Sequence, residues 1–179
     1  GLGSRLGDMT KDRPKGFLEL DGKYIVEMSV RKLIEHGIER IVIGTGYCSE
    51  WYEELAEKYP AIVPVHNEKY AETGSMGTLE VCAPHVKGDI LLLESDLIYD
   101  SIALFALLND PHRNVVLGSG TTQSGDEVYI SVDERQEVLQ ISKQRETVGS
   151  SYAELVGISK LSHETLMAMC SFARSHHQD

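Results

Sequence analysis

The chain has 179 residues, enough for one hydrophobic core and one domain. An apolar fraction of 41% beside 25% charged residues is that of an ordinary globular protein, and a net charge of −11 argues against a general nucleic-acid surface, since a polyanion would be repelled. No apolar run reaches membrane-span length and no signal peptide opens the chain, while Cys48, Cys82 and Cys170 lack the spacing of a disulfide framework or zinc site, so a cytoplasmic location is expected.

The chain opens Gly1-Leu2-Gly3-Ser4-Arg5-Leu6-Gly7 and continues to Arg13-Pro14-Lys15-Gly16. Glycines at 1, 3 and 7 let the backbone adopt positive φ and approach a bulky ligand closely. Arg5 and Lys15 bring two fixed positive charges to the same mouth, and such a turn suits a triphosphate. A dinucleotide fingerprint would need glycine where Leu6 stands, and a Walker loop needs a Gly-Lys-Ser/Thr triplet that occurs nowhere. The local basic cluster Lys11, Arg13, Lys15 stands against an acidic background.

Downstream, Leu18 to Lys23 reads as a short extended piece with a tight Asp21-Gly22 turn. Val26, Val30, Leu33 and Ile34 share one helix face, closed by Gly37 with Ile38 beyond it. Ile41 to Ile43 is a strand ending in Gly44-Thr45-Gly46. Ser49 is placed to cap the next helix, where Tyr52, Leu55, Ala56 and Tyr59 lie together before Pro60. Ile62 to Val65 is a strand pushed to an edge by Pro64. After the polar segment Asn67 to Gly74, a helix starting near Ser75 turns Met76, Leu79, Cys82 and Ala83 inward. Ile90 to Leu93 is apolar throughout, as expected for a central parallel strand covered on both faces. Asp100 caps a helix carrying Ile102, Phe105 and Leu108, and Val115 to Leu117 is another strand. Glu127 to Val132 and Glu137 to Ile141 form a hairpin, Ala153 to Ser159 a strand, and Ser162 caps a last helix with Leu166, Met169 and Ala173 on one side. This alternation predicts a layered α/β fold with a mainly parallel mixed sheet and a hairpin insertion. Ligands of such sheets bind beyond the carboxyl ends of the strands, where the Gly3 loop, Thr45-Gly46, Asn67 to Ser75 and Asp96 all fall.

The GxGxRL start with Lys11-Asp12-Arg13-Pro14-Lys15 resembles the signature of nucleotidyltransferases that activate sugar phosphates and phosphocholine, with Arg13 where lysine is usual. Asn67-Glu68-Lys69-Tyr70-Ala71-Glu72-Thr73-Gly74-Ser75-Met76 and Glu94-Ser95-Asp96 are similar to the 2-aminoethylphosphonate cytidylyltransferases of that family. The resemblance implies a Rossmann-like fold spanning 1–179 as one domain, lacking the family's first strand and its C-terminal end. It implies CTP and a small phosphonate or phosphate as partners, Mg²⁺ as cofactor, and transfer of CMP with release of pyrophosphate. Arg5 then meets the β/γ-phosphates, and Lys15 the α-phosphate or the incoming oxyanion. Leu2, Gly3, Ser4, Thr73, Gly74 and Ser75 surround the nucleotide, and Asp96 binds the metal. Asp126, Glu154 and residues beyond the chain stand open as the second metal ligand. Glu68, Tyr70 and Glu72 suit a primary ammonium better than a quaternary one, and Lys143 or Lys160 is available for the phosphonate. Phosphocholine cytidylyltransferase, sugar-1-phosphate nucleotidyltransferase and a non-catalytic nucleotide-binding domain are the alternatives; the oligomeric state is open.

Overall fold

The computed structural model describes residues 12–122, 125, 127–149 and 152–176. Leu2, Gly3, Ser4, Arg5 and Asp126 lie outside the described residues, so the Gly-rich loop is an expectation only.

Pro14, with φ of −66°, leads into a single 3-10 turn over Lys15–Phe17. Phe17 is buried, with the rings of Tyr24, Trp51 and Tyr52 centred 5.0–5.3 Å from it. This aromatic cluster anchors the turn and leaves Lys15 at its rim. β1 (Glu19–Leu20) and β2 (Lys23–Tyr24) pair antiparallel. Asp21 and Gly22, at φ of 51° and 73°, both take the left-handed conformation that a tight hairpin turn requires.

α1 (Ile25–Glu35) buries Val26, Val30 and Leu33, each contributing about 1.5–3 kcal/mol by leaving water. Gly37 ends it at φ of 82°: its N–H donates to the Ile34 carbonyl and that of Ile38 to Leu33, both at 3.0 Å. β3 (Ile41–Thr45) then runs through α2 (Glu50–Lys58) to β4 (Ile62–His66), which pairs parallel with β3. Among the described residues β4 has no other partner, so Pro64 costs no ladder bond, as expected. The Ser49 side chain makes no capping bond; its carbonyl accepts from Tyr52 and Glu53, and Glu50 and Glu53 supply the negative charge that this helix end favours.

α3 (Ser75–Cys82) packs on β3 and leads to β5 (Ile90–Leu93). Next come α4 (Ser101–Asn109), β6 (Val115–Ser119), the hairpin β7 (Tyr129–Val132) and β8 (Val138–Ser142), the long β9 (Ala153–Leu161) and α5 (His163–His176). β9 is the spine of a five-stranded sheet, with β6 along one edge and β5 then β7 along the other; every pairing in it is antiparallel. The expectation of a central parallel strand at Ile90–Leu93 is therefore corrected: β5 pairs antiparallel with β9 and its residues are half-buried. An apolar run reports cover on its faces, not the direction of its neighbour. The parallel ladder among the described residues is β3–β4.

The Asp100 carboxylate accepts from the Ile102 N–H at 3.0 Å, a cap worth about 1 kcal/mol. α4 buries Leu104 and Leu107, while Ile102, Phe105 and Leu108 face outward. The helix is apolar on nearly every side, so its periodicity could not choose a face. Ser162 caps α5 as expected, its hydroxyl accepting from the Thr165 N–H at 3.1 Å. Leu166 and Cys170 are fully buried with Ala83, against Met76 and Leu79 of α3.

Candidate active site

β3 and β4 run parallel, so Thr45-Gly46 and the segment after His66 emerge at the same end. β5 delivers Glu94-Ser95-Asp96 just past Leu93. Lys15 meets Asp96 there: its Nζ lies 3.8 Å from Asp96 Oδ2, with the two side chains 36% and 34% exposed. Gly16 makes the meeting possible. A Cβ on Gly16 would come to 3.0 Å of the Ser95 carbonyl and 3.2 Å of the Tyr52 hydroxyl. Burial pushes the Tyr52 phenol up, opposed by its hydrogen bond with the Ser95 side chain and reinforced by the negative charge of Asp96. Tyr52, buried on the helix face it shares with Leu55, thus also bonds the residue that precedes Asp96. Arg13 is held aside, 3.5 Å from Glu19 and 5.7 Å above the Trp51 ring.

Asn67 organises the second wall. It is 3% exposed, and its N–H donates to the Thr45 carbonyl at 2.9 Å, extending the β3–β4 ladder by one rung. Its side-chain oxygen accepts from the Lys69 N–H at 3.0 Å, and its amide nitrogen donates to the hydroxyls of Thr73 at 2.9 Å and Thr78 at 3.0 Å. Thr73 in turn donates to the Lys69 carbonyl at 2.9 Å. The loop is knotted around one side chain, leaving Glu68 and Glu72 exposed and Tyr70 half-buried. Tyr70 covers Gly46, where a Cβ would lie 2.5 Å from the tyrosine Cβ. The His66 ring is centred 6.2 Å from Tyr70, and Tyr47 is close enough for Tyr70 to raise its phenol further, after the larger effects of a Cys48 hydrogen bond and burial. Gly74 precedes α3 and Ser75 begins it; neither supplies a side-chain cap, so Thr73 serves the loop rather than the helix.

The remaining expected residues divide. Ser142 is level with Tyr129, and Tyr129 with Glu154, which places the exposed Lys143 on the edge of the sheet beyond the carboxyl end of β5. Lys160 is opposite Leu91 at the other end and donates to the Asp110 carbonyl at 2.8 Å, which corrects its assignment to a phosphonate. Glu154 is buried, and one carboxylate oxygen accepts from both the N–H (2.8 Å) and hydroxyl (2.7 Å) of Thr122, which ties a strap to the sheet. No hydrogen bond or ion pair among the described residues joins the Asn67 loop or Lys143 to Lys15 and Asp96. Among the described residues, no group of three or more His, Cys, Asp or Glu side chains could hold a metal, and no helix is long and apolar enough to cross a membrane.

The fold is a Rossmann-like α/β arrangement, and residues 1–154 match the family described as MobA-like NTP transferase domain. The chain belongs to that family. A 2-aminoethylphosphonate cytidylyltransferase of Lancefieldella rimae is 28% identical over 183 aligned positions, covering 100% of this chain and 71% of that protein. A choline-phosphate cytidylyltransferase of Streptococcus pneumoniae is 38% identical over 79 residues, which cover 44% of this chain and 34% of that one. Among solved structures, the inositol-1-phosphate CTP transferase from T. maritima superposes with a TM-score of 0.80 at 21% identity, covering 93% of this chain and 69% of that one. The CTP:phosphocholine cytidylyltransferase from Streptococcus pneumoniae gives 0.70 at 22% identity, covering 99% and 74%. At such identities the superpositions establish a shared fold alone.

Proposed function

We propose that this nucleotidyltransferase is a Mg²⁺-dependent cytidylyltransferase that transfers CMP from CTP to 2-aminoethylphosphonate, releasing pyrophosphate. The observation that carries the reading is the Lys15–Asp96 pair at the carboxyl end of β5. The match to a 2-aminoethylphosphonate cytidylyltransferase, over all of this chain and 71% of that protein, supports the choice of substrates.

The phosphonate must approach a triphosphate of the same sign. One pair of unit charges at about 4 Å is opposed by roughly 4 kcal/mol at an effective dielectric of 20, and several such pairs act together. Lys15, one-third exposed at the rim of its aromatic anchor, is assigned to neutralise the α-phosphate or the attacking oxygen and to hold them in line. Arg5 is assigned to the β/γ-phosphates, and Leu2, Gly3 and Ser4 to the nucleotide, with Thr73, Gly74 and Ser75 closing the far side.

Asp96 fits Mg²⁺ as half of a site. Mg²⁺ takes few carboxylates and completes its shell with phosphate oxygens and water, and Asp96 is a single carboxylate open on one side. The ion supplies further neutralisation of the phosphates when bound. The exposed Glu68 and Glu72 are assigned to the primary ammonium of the acceptor, and the exposed Lys143 to its phosphonate. The gathering of Tyr47, Tyr70 and His66 favours a second reading, phosphocholine, whose quaternary ammonium prefers aromatic faces.

Pyrophosphate release by the full-length protein with Mg²⁺ tests both. CTP, UTP, ATP and dTTP are crossed with 2-aminoethylphosphonate, phosphocholine and glucose-1-phosphate. Release with CTP and 2-aminoethylphosphonate alone is expected. A preference for phosphocholine moves the acceptor to the aromatic group, and silence across the panel overturns the catalytic reading.

A further inference from the structure

A cavity of about 320 Å³ opens between the β1–β2 hairpin, α1 and the end of α2, and neither Lys15 nor Asp96 lines it. Its charged walls are Glu19, Lys23, Glu27, Arg31 and Lys58, three cations against two carboxylates in a protein of net charge −11. Both carboxylates are engaged. Glu27 accepts from Lys58 Nζ at 2.5 Å and from the Tyr59 hydroxyl at 2.7 Å, which holds its carboxyl below the usual range. Glu19 faces Arg13 at 3.5 Å. Lys23 and Arg31 are exposed and form no ion pair among the described residues; Arg31 acts on Glu27 at longer range.

We propose that this cavity is a second anion site, taking a small molecule whose phosphate or phosphonate group sits between Lys23 and Arg31. A guanidinium offers a planar fork of donors to a tetrahedral oxyanion, and an ammonium adds a mobile point charge. Burying such a group here leaves no new carboxylate unpaired, because Glu19 and Glu27 keep their own partners. The site also borders the catalytic turn. Tyr24 lines the cavity and packs edge-on against Phe17 at 5.3 Å, while Glu19 pairs with Arg13, so both flanks of Lys15 rest on cavity residues.

The test is titration of the full-length protein with inorganic phosphate at low salt, followed by calorimetry and by amide and guanidinium NMR shifts. It is independent of turnover, so it stands or falls separately from the cytidylyltransferase reading. Lys15→Gln first weakens phosphate binding at the catalytic turn. The remaining binding is expected to shift Gly22, Lys23 and Arg31, and to weaken at least tenfold when Lys23→Gln and Arg31→Gln are added. Both side chains are exposed, so the thermal transition of that variant should match its parent. Methylphosphonate beside phosphate tells which head group is preferred. Absence of binding by either anion in the Lys15→Gln protein overturns the proposal, as do undiminished affinity in the triple variant and shifts confined to residues 66–75.

Discussion

Replacing Asn67 with alanine removes three side-chain hydrogen bonds from a nearly buried position: one accepted from Lys69 N–H and two donated to Thr73 and Thr78. Each such bond contributes about 0.5–1.5 kcal/mol net, and the exposed Lys69 backbone can recover part of its loss by hydration. The expected destabilisation is therefore roughly 2–3 kcal/mol, which at this chain length lowers the melting temperature by roughly 4–12 °C. Urea denaturation should show a lower midpoint with an unchanged slope, since the surface exposed on unfolding is nearly the same. Asn67→Asp separates hydrogen bonding from shape. It keeps the acceptor for Lys69, loses both donations and places a carboxylate where water is excluded. It should be at least as unstable as the alanine variant at neutral pH and recover partly at acid pH, where a protonated carboxyl is neutral and can donate once. A loss below 1 kcal/mol in Asn67→Ala, or an aspartate variant as stable as wild type at pH 7, would refute the view that this side chain knots the loop.

Lys15→Ala is expected to lower pyrophosphate release by on the order of 10³-fold or more while leaving the melting temperature close to wild type, because the side chain is partly exposed and its removal opens no core cavity. Near-normal turnover would remove Lys15 from the chemistry. Gly44→Ala pushes a methyl group into Thr78 Cγ2 and to 3.0 Å of Cys82 Sγ, so about 1–3 kcal/mol of stability should be lost in chemical denaturation. A neutral result would mean that α3 shifts freely on β3. Asp89 is held down to about 2, first by its hydrogen bonds with Arg113 and then by the His163 N–H. A depressed carboxyl stabilises the fold above its unfolded value near 3.8, and the benefit fades as pH falls towards 2. Asp89→Asn should therefore melt below wild type at pH 7, with the difference shrinking between pH 4 and 2; a constant difference across that range would assign the effect to packing.

What was legible in the sequence was local. The Asp21-Gly22 turn, the Gly37 stop, and the Asp100 and Ser162 caps each depend on bonds between residues a few positions apart, and each stands where the pattern placed it. Lys15 and Asp96 were marked separately by their motifs and their places after a proline turn and an apolar strand. Their meeting required the fold, because only the close approach of Gly16 to Ser95 brings the two segments together. Tertiary structure alone decided the direction of β5, the buried face of α4 and the engagement of Glu154 with Thr122 and of Lys160 with Asp110. It also decided that Asn67 holds the loop whose charged residues the pattern had singled out. The physical reason is common to these cases. A cap or turn is satisfied by its own neighbours, whereas a strand partner, a helix face or a buried side-chain bond is chosen by segments distant in the chain, and no periodicity records which of them arrives.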